Sequence, residues 1–256
     1  MIVLGAYASA ASCIPADTTT ARGGIAVTLV PSEATRVGRF MTRDGWDVTV
    51  VNAWISVFAN ASDCTGSISA DEYGWGGTGG AIVGMQKGGL IEIRAASPST
   101  RCVLRLMPQS VYVSGDPDGD FAQVGGGALV IETGKAFRMR GSAVKTTGSD
   151  RGRTLRFDFQ LDGFSSSEEA PARDISIPSG DKSDARAELA LEALFVPDER
   201  SPIGFGAQAQ ADANGDGELT AAELEADRPD DGSESATSWP YFALSARLNR
   251  TLRFLP

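Results

Sequence analysis

Asp212, Asn214 and Asp216 stand on alternate residues and are followed by Gly217, Glu218, Leu219, Thr220 and Glu223. This spacing of oxygen-bearing side chains around a glycine is one with which a chain can wrap a hard divalent cation. Calcium takes about six to eight oxygen ligands at flexible geometry. Asp212, Asn214 and Asp216 would supply three side-chain oxygens from a tightly curled loop, and Gly217 permits the sharp turn that a Cβ would obstruct. The main-chain carbonyl of Glu218 would follow, Thr220 would act through a water, and Glu223 would close the far side with both carboxylate oxygens. Leu219 is the apolar residue expected to turn inward beneath the loop. Calcium is the expected ion, bound structurally and with no chemistry of its own.

Residues 212–223 fit the pattern D-x-[DN]-x-[DN]-G-x5-E at every position and resemble an EF-hand loop. The resemblance implies an entering helix over residues 205–211 and an exit helix over residues 220–227, stopped by Pro229. No second loop of this pattern exists in the sequence. A lone loop is less preorganised than a paired one, which implies an affinity of about 10⁻⁴ to 10⁻³ M, as in extracellular modules. Asp116, Asp118 and Asp120 form another alternating trio, but Phe121 holds the glycine's place and no closing glutamate follows; a solvated turn is expected there. Nine acidic residues between Asp212 and Glu234 face Arg228 alone, a field suited to cations.

The formal net charge of −10 argues against nucleic acid and anionic membrane surfaces as partners. Histidine is absent, which removes Ser-His-Asp and Cys-His catalysis and every histidine-ligated metal site. Asp44, Asp47, Glu132 and Asp158 supply carboxylates of the kind a glycoside hydrolase uses, yet their spacing singles out no acid and base pair. A non-enzymatic chain is therefore expected, with a surface module for a glycan or partner protein as the alternative. For that alternative Trp46, Trp54, Tyr73 and Trp75 are the stacking candidates. Trp46 and Trp54 are expected in the core, and Tyr73 and Trp75 on the surface.

Three cysteines are present, Cys13, Cys64 and Cys102. The first residues are apolar and small and end in Ala10, Ala11, Ser12 and Cys13, which resembles the lipobox of a bacterial lipoprotein signal. That resemblance implies lipidation at Cys13, an exported chain, and membrane contact only through the anchor. A plain cleaved signal near Ala8 and Ala10, and a cytoplasmic start, are the alternatives. With Cys13 acylated, Cys64 and Cys102 are left to pair in a disulfide that staples the intervening glycine-rich stretch.

These residues need a scaffold, and the dominant period of the chain is two. Strands are expected over residues 25–30, 38–42, 46–51, 54–58, 90–94, 103–107, 111–113, 128–132, 136–140, 155–161 and 175–177. Residues 46–51 and 54–58 are expected as separate antiparallel neighbours. Gly74, Gly76, Gly77, Gly79, Gly80, Gly84, Gly88 and Gly89 are expected in a long surface loop; no phosphate-binding pattern accompanies them. Residues 187–196 are helical in type but alternate in pattern, and the alternation predicts a final strand. Ser238 and Pro240 begin a pattern in which Tyr241, Leu244, Leu248, Leu252 and Leu255 share one helical stripe, with Arg247, Arg250 and Arg253 away from it. The fold class that follows is mainly β: an antiparallel sandwich, jelly-roll or immunoglobulin-like, with a C-terminal loop segment and terminal helix. Expected divisions are 1–13 export signal, 14–24 tether, 25–200 sandwich and 201–256 calcium segment. With Phe40, Thr42, Asp44, Gly45 and Trp46 in its early strand pair, the arrangement is similar to that of predicted calcium-binding lipoproteins of bacteria.

Overall fold

The computed structural model describes residues 21–65, 77–96, 98–110, 121–124, 128–132, 134–163, 170–196, 204–226 and 240–256. Most of these are strands, and they form two sheets that share a core. In chain order the strands are β1 (Gly23–Pro31), β2 (Arg39–Met41), β3 (Trp46–Thr65), β4 (Gly77–Gly84), β5 (Gly89–Ala96), β6 (Ser99–Pro108), β7 (Phe121–Val124), β8 (Ala128–Glu132), β9 (Lys135–Lys145), β10 (Thr154–Asp162), β11 (Ala172–Ile177), β12 (Lys182–Leu189), β13 (Glu218–Thr220) and β14 (Leu252–Phe254). Among the described residues, four short α-helices accompany them: α1 (Glu33–Val37), α2 (Phe205–Gln210), α3 (Ala221–Ala226) and α4 (Pro240–Arg247).

One sheet runs β14-β12-β1-β5. The other runs β11-β6-β3-β9-β10-β13, with β2 and β4 also paired to β3, while β7 and β8 form a separate ribbon. Most pairs are antiparallel; β1 with β12 and β10 with β13 are parallel. Alternate residues of each strand turn inward, as period two requires. Ile25, Val27 and Leu29 of β1 meet Leu104 and Leu106 of β6 and Phe157, Phe159 and Leu161 of β10 in one buried cluster. The mainly-β sandwich class holds.

The long strand β3 replaces the two strands expected over residues 46–58. Its inward residues are Trp46, Val48 and Val50, then Ala53, Ile55, Val57, Ala59 and Ala61. The parity changes because the register with β9 shifts between Val50 and Asn52. Val51 and Asn52 form a bulge here, not a turn, and both are exposed. The Gln86 side-chain amide donates to the carbonyls of Val50 and Val51 and accepts from the Ala53 amide, each at 3.2 Å. The backbone groups that the bulge frees are thereby satisfied. Trp54 pairs with both Gly84 and Arg138, so β4 and β9 flank opposite edges of β3.

Much of the expected glycine loop is strand. Gly77–Gly84 is β4, and Gly89 opens β5. A side chain at Gly79 would place its Cβ 2.4 Å from the Glu92 carbonyl oxygen, so the glycine is there for close backbone approach. Cys64 and Cys102 form the expected disulfide, joining β3 to β6 across the segment that carries β4 and β5.

The C-terminal expectation also changes. The terminal helix ends at Arg247, passes through a 3₁₀ turn (Leu248–Thr251) and becomes β14. The edge of β12 supplies backbone partners that a longer helix would forgo: Ala187 through Leu189 pair with Phe254 through Leu252. Arg247 is fully buried, donating to the Leu194 carbonyl, and Arg253 pairs with Glu188 at 2.6 Å. Residues 187–196 split between both of their tendencies, strand to Leu189 and a 3₁₀ helix over Leu191–Phe195. Cys13, Tyr73, Trp75, residues 111–113, the trio Asp116, Asp118 and Asp120, and Ser238 lie outside the described residues.

Candidate metal centre

The chain enters the acidic loop from α2. Phe205 anchors that helix in the core, with its ring centroid 5.3 Å from that of Trp46 and 5.2 Å from that of Phe195. Gly204 offers no capping side chain, and Asp44, 162 residues earlier, accepts the Gly206 amide instead. Two α2 backbone groups thus lean on the body of the sandwich: the Gly206 amide on Asp44, and the Ala209 carbonyl on the Arg153 guanidinium at 2.9 Å.

Asp212 follows with its side chain 2% exposed, and Arg153 also donates to its Oδ2 at 3.1 Å. Beyond it the loop winds through local hydrogen bonds. Asn214 Oδ1 accepts from the Asp216 amide at 2.9 Å, and Asp216 Oδ1 accepts from the Glu218 amide at 2.7 Å. Gly217 sits at φ 77°, a left-handed conformation that a side chain would strain. The chain then extends as β13, parallel to β10, with Glu218, Leu219 and Thr220 in register with Arg156, Phe157 and Asp158. Leu219 is buried as expected, and the Glu218 side chain turns away to pair with Arg156 at 2.7 Å.

At the start of α3, Thr220 and Glu223 form a reciprocal cap. Glu223 Oε2 accepts from the Thr220 amide and hydroxyl, both at 3.0 Å, and Thr220 Oγ1 accepts from the Glu223 amide at 3.2 Å. The Thr220 hydroxyl therefore faces Glu223, which leaves Glu223 Oε1 without a protein partner among the described residues.

One ligand atom each from Asp212, Asp216 and Glu223 lies within 4.8 Å of the others. Three carboxylates this close repel one another unless a cation intervenes. Two of their oxygens, Asp212 Oδ1 and Glu223 Oε1, are buried and have no hydrogen-bond partner among the described residues. Burying an ionised carboxylate oxygen without a partner is costly, and a cation among these oxygens would offset that cost. The donor set is oxygen throughout, which suits a hard ion such as calcium. The residues fit that ion: Asp212, Asp216 and Glu223 can hold it directly, with Asn214 and the Glu218 carbonyl on the same loop.

Of the other acidic candidates, Asp44, Asp47 and Asp158 have structural partners, and the side chain of Glu132 is outside the described ones. Asp47 is paired with Arg39, and the guanidinium holds its carboxyl below the usual range. Asp158 is paired with Arg138, and Asp44 caps α2. Trp46 is buried at 2%, and Trp54 is half-buried with its ring over Gly84. The contacts of Arg153 with Asp212 and of Asp44 with Gly206 are not legible in the sequence, because they span 59 and 162 residues. A scan of protein-family models, a search of curated proteins and a search of solved structures returned no match to this chain.

Proposed function

We propose that this chain is a calcium-binding, non-enzymatic protein. Its loop over residues 212–223, of EF-hand type, would take one structural ion. The observation that carries the reading is the pair of orphaned, buried carboxylate oxygens, Asp212 Oδ1 and Glu223 Oε1, in the same three-carboxylate cluster. The ion would neutralise charge at the junction of α2, β13 and α3, and would stabilise the folded chain by binding it in preference to the unfolded one. A disulfide suits an oxidising compartment, which supports the reading of an exported chain, secreted or lipid-anchored at Cys13.

The test is calorimetric titration of the protein with calcium, beside the Glu223→Gln variant. Saturable binding of one ion per chain is expected, weakened at least about tenfold in the variant because the closing ligand loses its charge. No saturable heat up to about 10 mM calcium, beyond the weakest range of such loops, would overturn the proposal.

A further inference from the structure

Resting on the calcium reading, we infer that Arg153 is a built-in counter-cation for the site, holding the loop together without the ion and thereby lowering the affinity for it. Arg153 lies on the turn between β9 and β10, its own backbone fixed by hydrogen bonds to Lys145 and Asp150. One guanidinium nitrogen reaches both the Ala209 carbonyl at 2.9 Å and Asp212 Oδ2 at 3.1 Å. It therefore ties the end of α2 and the first loop carboxylate to the sandwich at once.

The charges decide the sign of the effect. Asp212, Asp216 and Glu223 bring three negative charges within 4.8 Å, and Arg153 offsets one of them, leaving −3 + 1 = −2. Asp212 is the buried member, with a 2% exposed side chain, and so the one whose isolated charge would be hardest to leave unpaired. Without an ion, Arg153 is its partner among the described residues. With the ion bound at Oδ1, Oδ2 can keep its bond to Arg153, but the guanidinium and the ion then repel. Removing Arg153 must therefore destabilise the ion-free protein more than the ion-bound one. A unit charge about 6 Å from a divalent ion, at the dielectric of water, changes affinity roughly tenfold. The arginine weakens the site and in exchange frees the fold from dependence on calcium.

The experiment measures calcium affinity and melting temperature, with and without calcium, for the full chain and for Arg153→Met and Arg153→Gln. In Arg153→Met the ion-free melting temperature is expected to fall by roughly 10 °C, from the loss of a partly buried ion pair. Saturating calcium is expected to recover most of that fall, and the affinity to rise about tenfold. Arg153→Gln keeps a hydrogen-bond donor at this position without the charge, so it should show the affinity gain with a smaller fall in melting temperature. In about 1 M salt, where charges are screened within roughly 3 Å, the gain should shrink severalfold. A role in packing alone would not produce that salt dependence. If Arg153→Met folds only when calcium is added, the inference is supported in its strongest form. If Arg153→Gln binds calcium no more tightly than the parent, the inference is overturned while the calcium reading stands. If the parent itself binds no calcium, the calcium reading fails first and this inference with it.

Discussion

Asp212 is held more firmly than its loop neighbours: its side chain is nearly inaccessible, whereas Asn214 and Asp216 are exposed and bonded chiefly to each other and to the loop backbone. On the proposed reading Asp212 and Glu223 are preset ligands, the latter held by its cap with Thr220, and Asn214 and Asp216 are the two that can adapt to an ion. A surface carboxylate gives a separate check on the charged network. Glu92 accepts from Lys182 and Arg94, and these hold its pKa at about 2, well below the ordinary 4.5. Because the folded value is depressed, this contribution to stability is present above pH 4.5 and is lost as pH falls from there toward 2. Carbon-detected NMR titration should find Glu92 changing near pH 2, and Lys182→Met should move it up toward the ordinary range. A midpoint near 4.5 in the parent protein would contradict the pairing. The gathering of Asp212, Asp216 and Glu223 is legible in the sequence because their spacing is local. The Thr220 and Glu223 cap is equally local, but the loop pattern assigns the same residues to the ion. The roles of Arg153 and Asp44 are not legible, since nothing in a linear pattern records a contact across 59 or 162 residues.

At the scale of elements, β3 sets the geometry of its sheet. It pairs with β9 and then β6, and with β2 and then β4, along its length. Its bulge at Val51 and Asn52 allows one strand to serve all four, and Gln86 supplies three hydrogen bonds to the freed backbone there. Gln86→Ala should therefore cost about 2 kcal/mol, the penalty for leaving partly buried backbone groups unpaired, measured as a lower urea midpoint at unchanged slope. A loss under about 0.5 kcal/mol would show that solvent satisfies the bulge without it. Alternation located most of the strands in the described residues, including β1, β6 and β10, because each has one buried face, but it missed β7 and all but the end of β12. It failed at the β3 bulge, where a change of parity resembles a strand end. It failed again in β4, whose glycines carry no pattern to read. The three-residue strands β13 and β14 are too short for periodicity and exist because β10 and β12 offer edges to pair with.

In the whole molecule, the segment carrying the loop is woven into both sheets: β13 extends one and β14 the other. The parallel pairing of β1 with β12 likewise joins residues about 160 positions apart, and no local pattern in the sequence announces it. Calcium should consequently stabilise the whole fold as a unit. Scanning calorimetry is expected to show one transition that shifts up by roughly 5 to 10 °C at calcium about a hundredfold above its dissociation constant. Two transitions, of which calcium moves only one, would show that the loop segment melts independently.

One calcium ion is proposed to sit among Asp212, Asp216 and Glu223. The most direct test is a diffraction structure of the protein crystallised with calcium, with the ion located by its anomalous signal. A single peak is expected about 2.3 to 2.6 Å from Asp212 Oδ1, from Asp216 and from Glu223 Oε1, with Arg153 still on Asp212 Oδ2. Well-ordered density for the loop with no peak at saturating calcium, or a peak bound elsewhere, would contradict it.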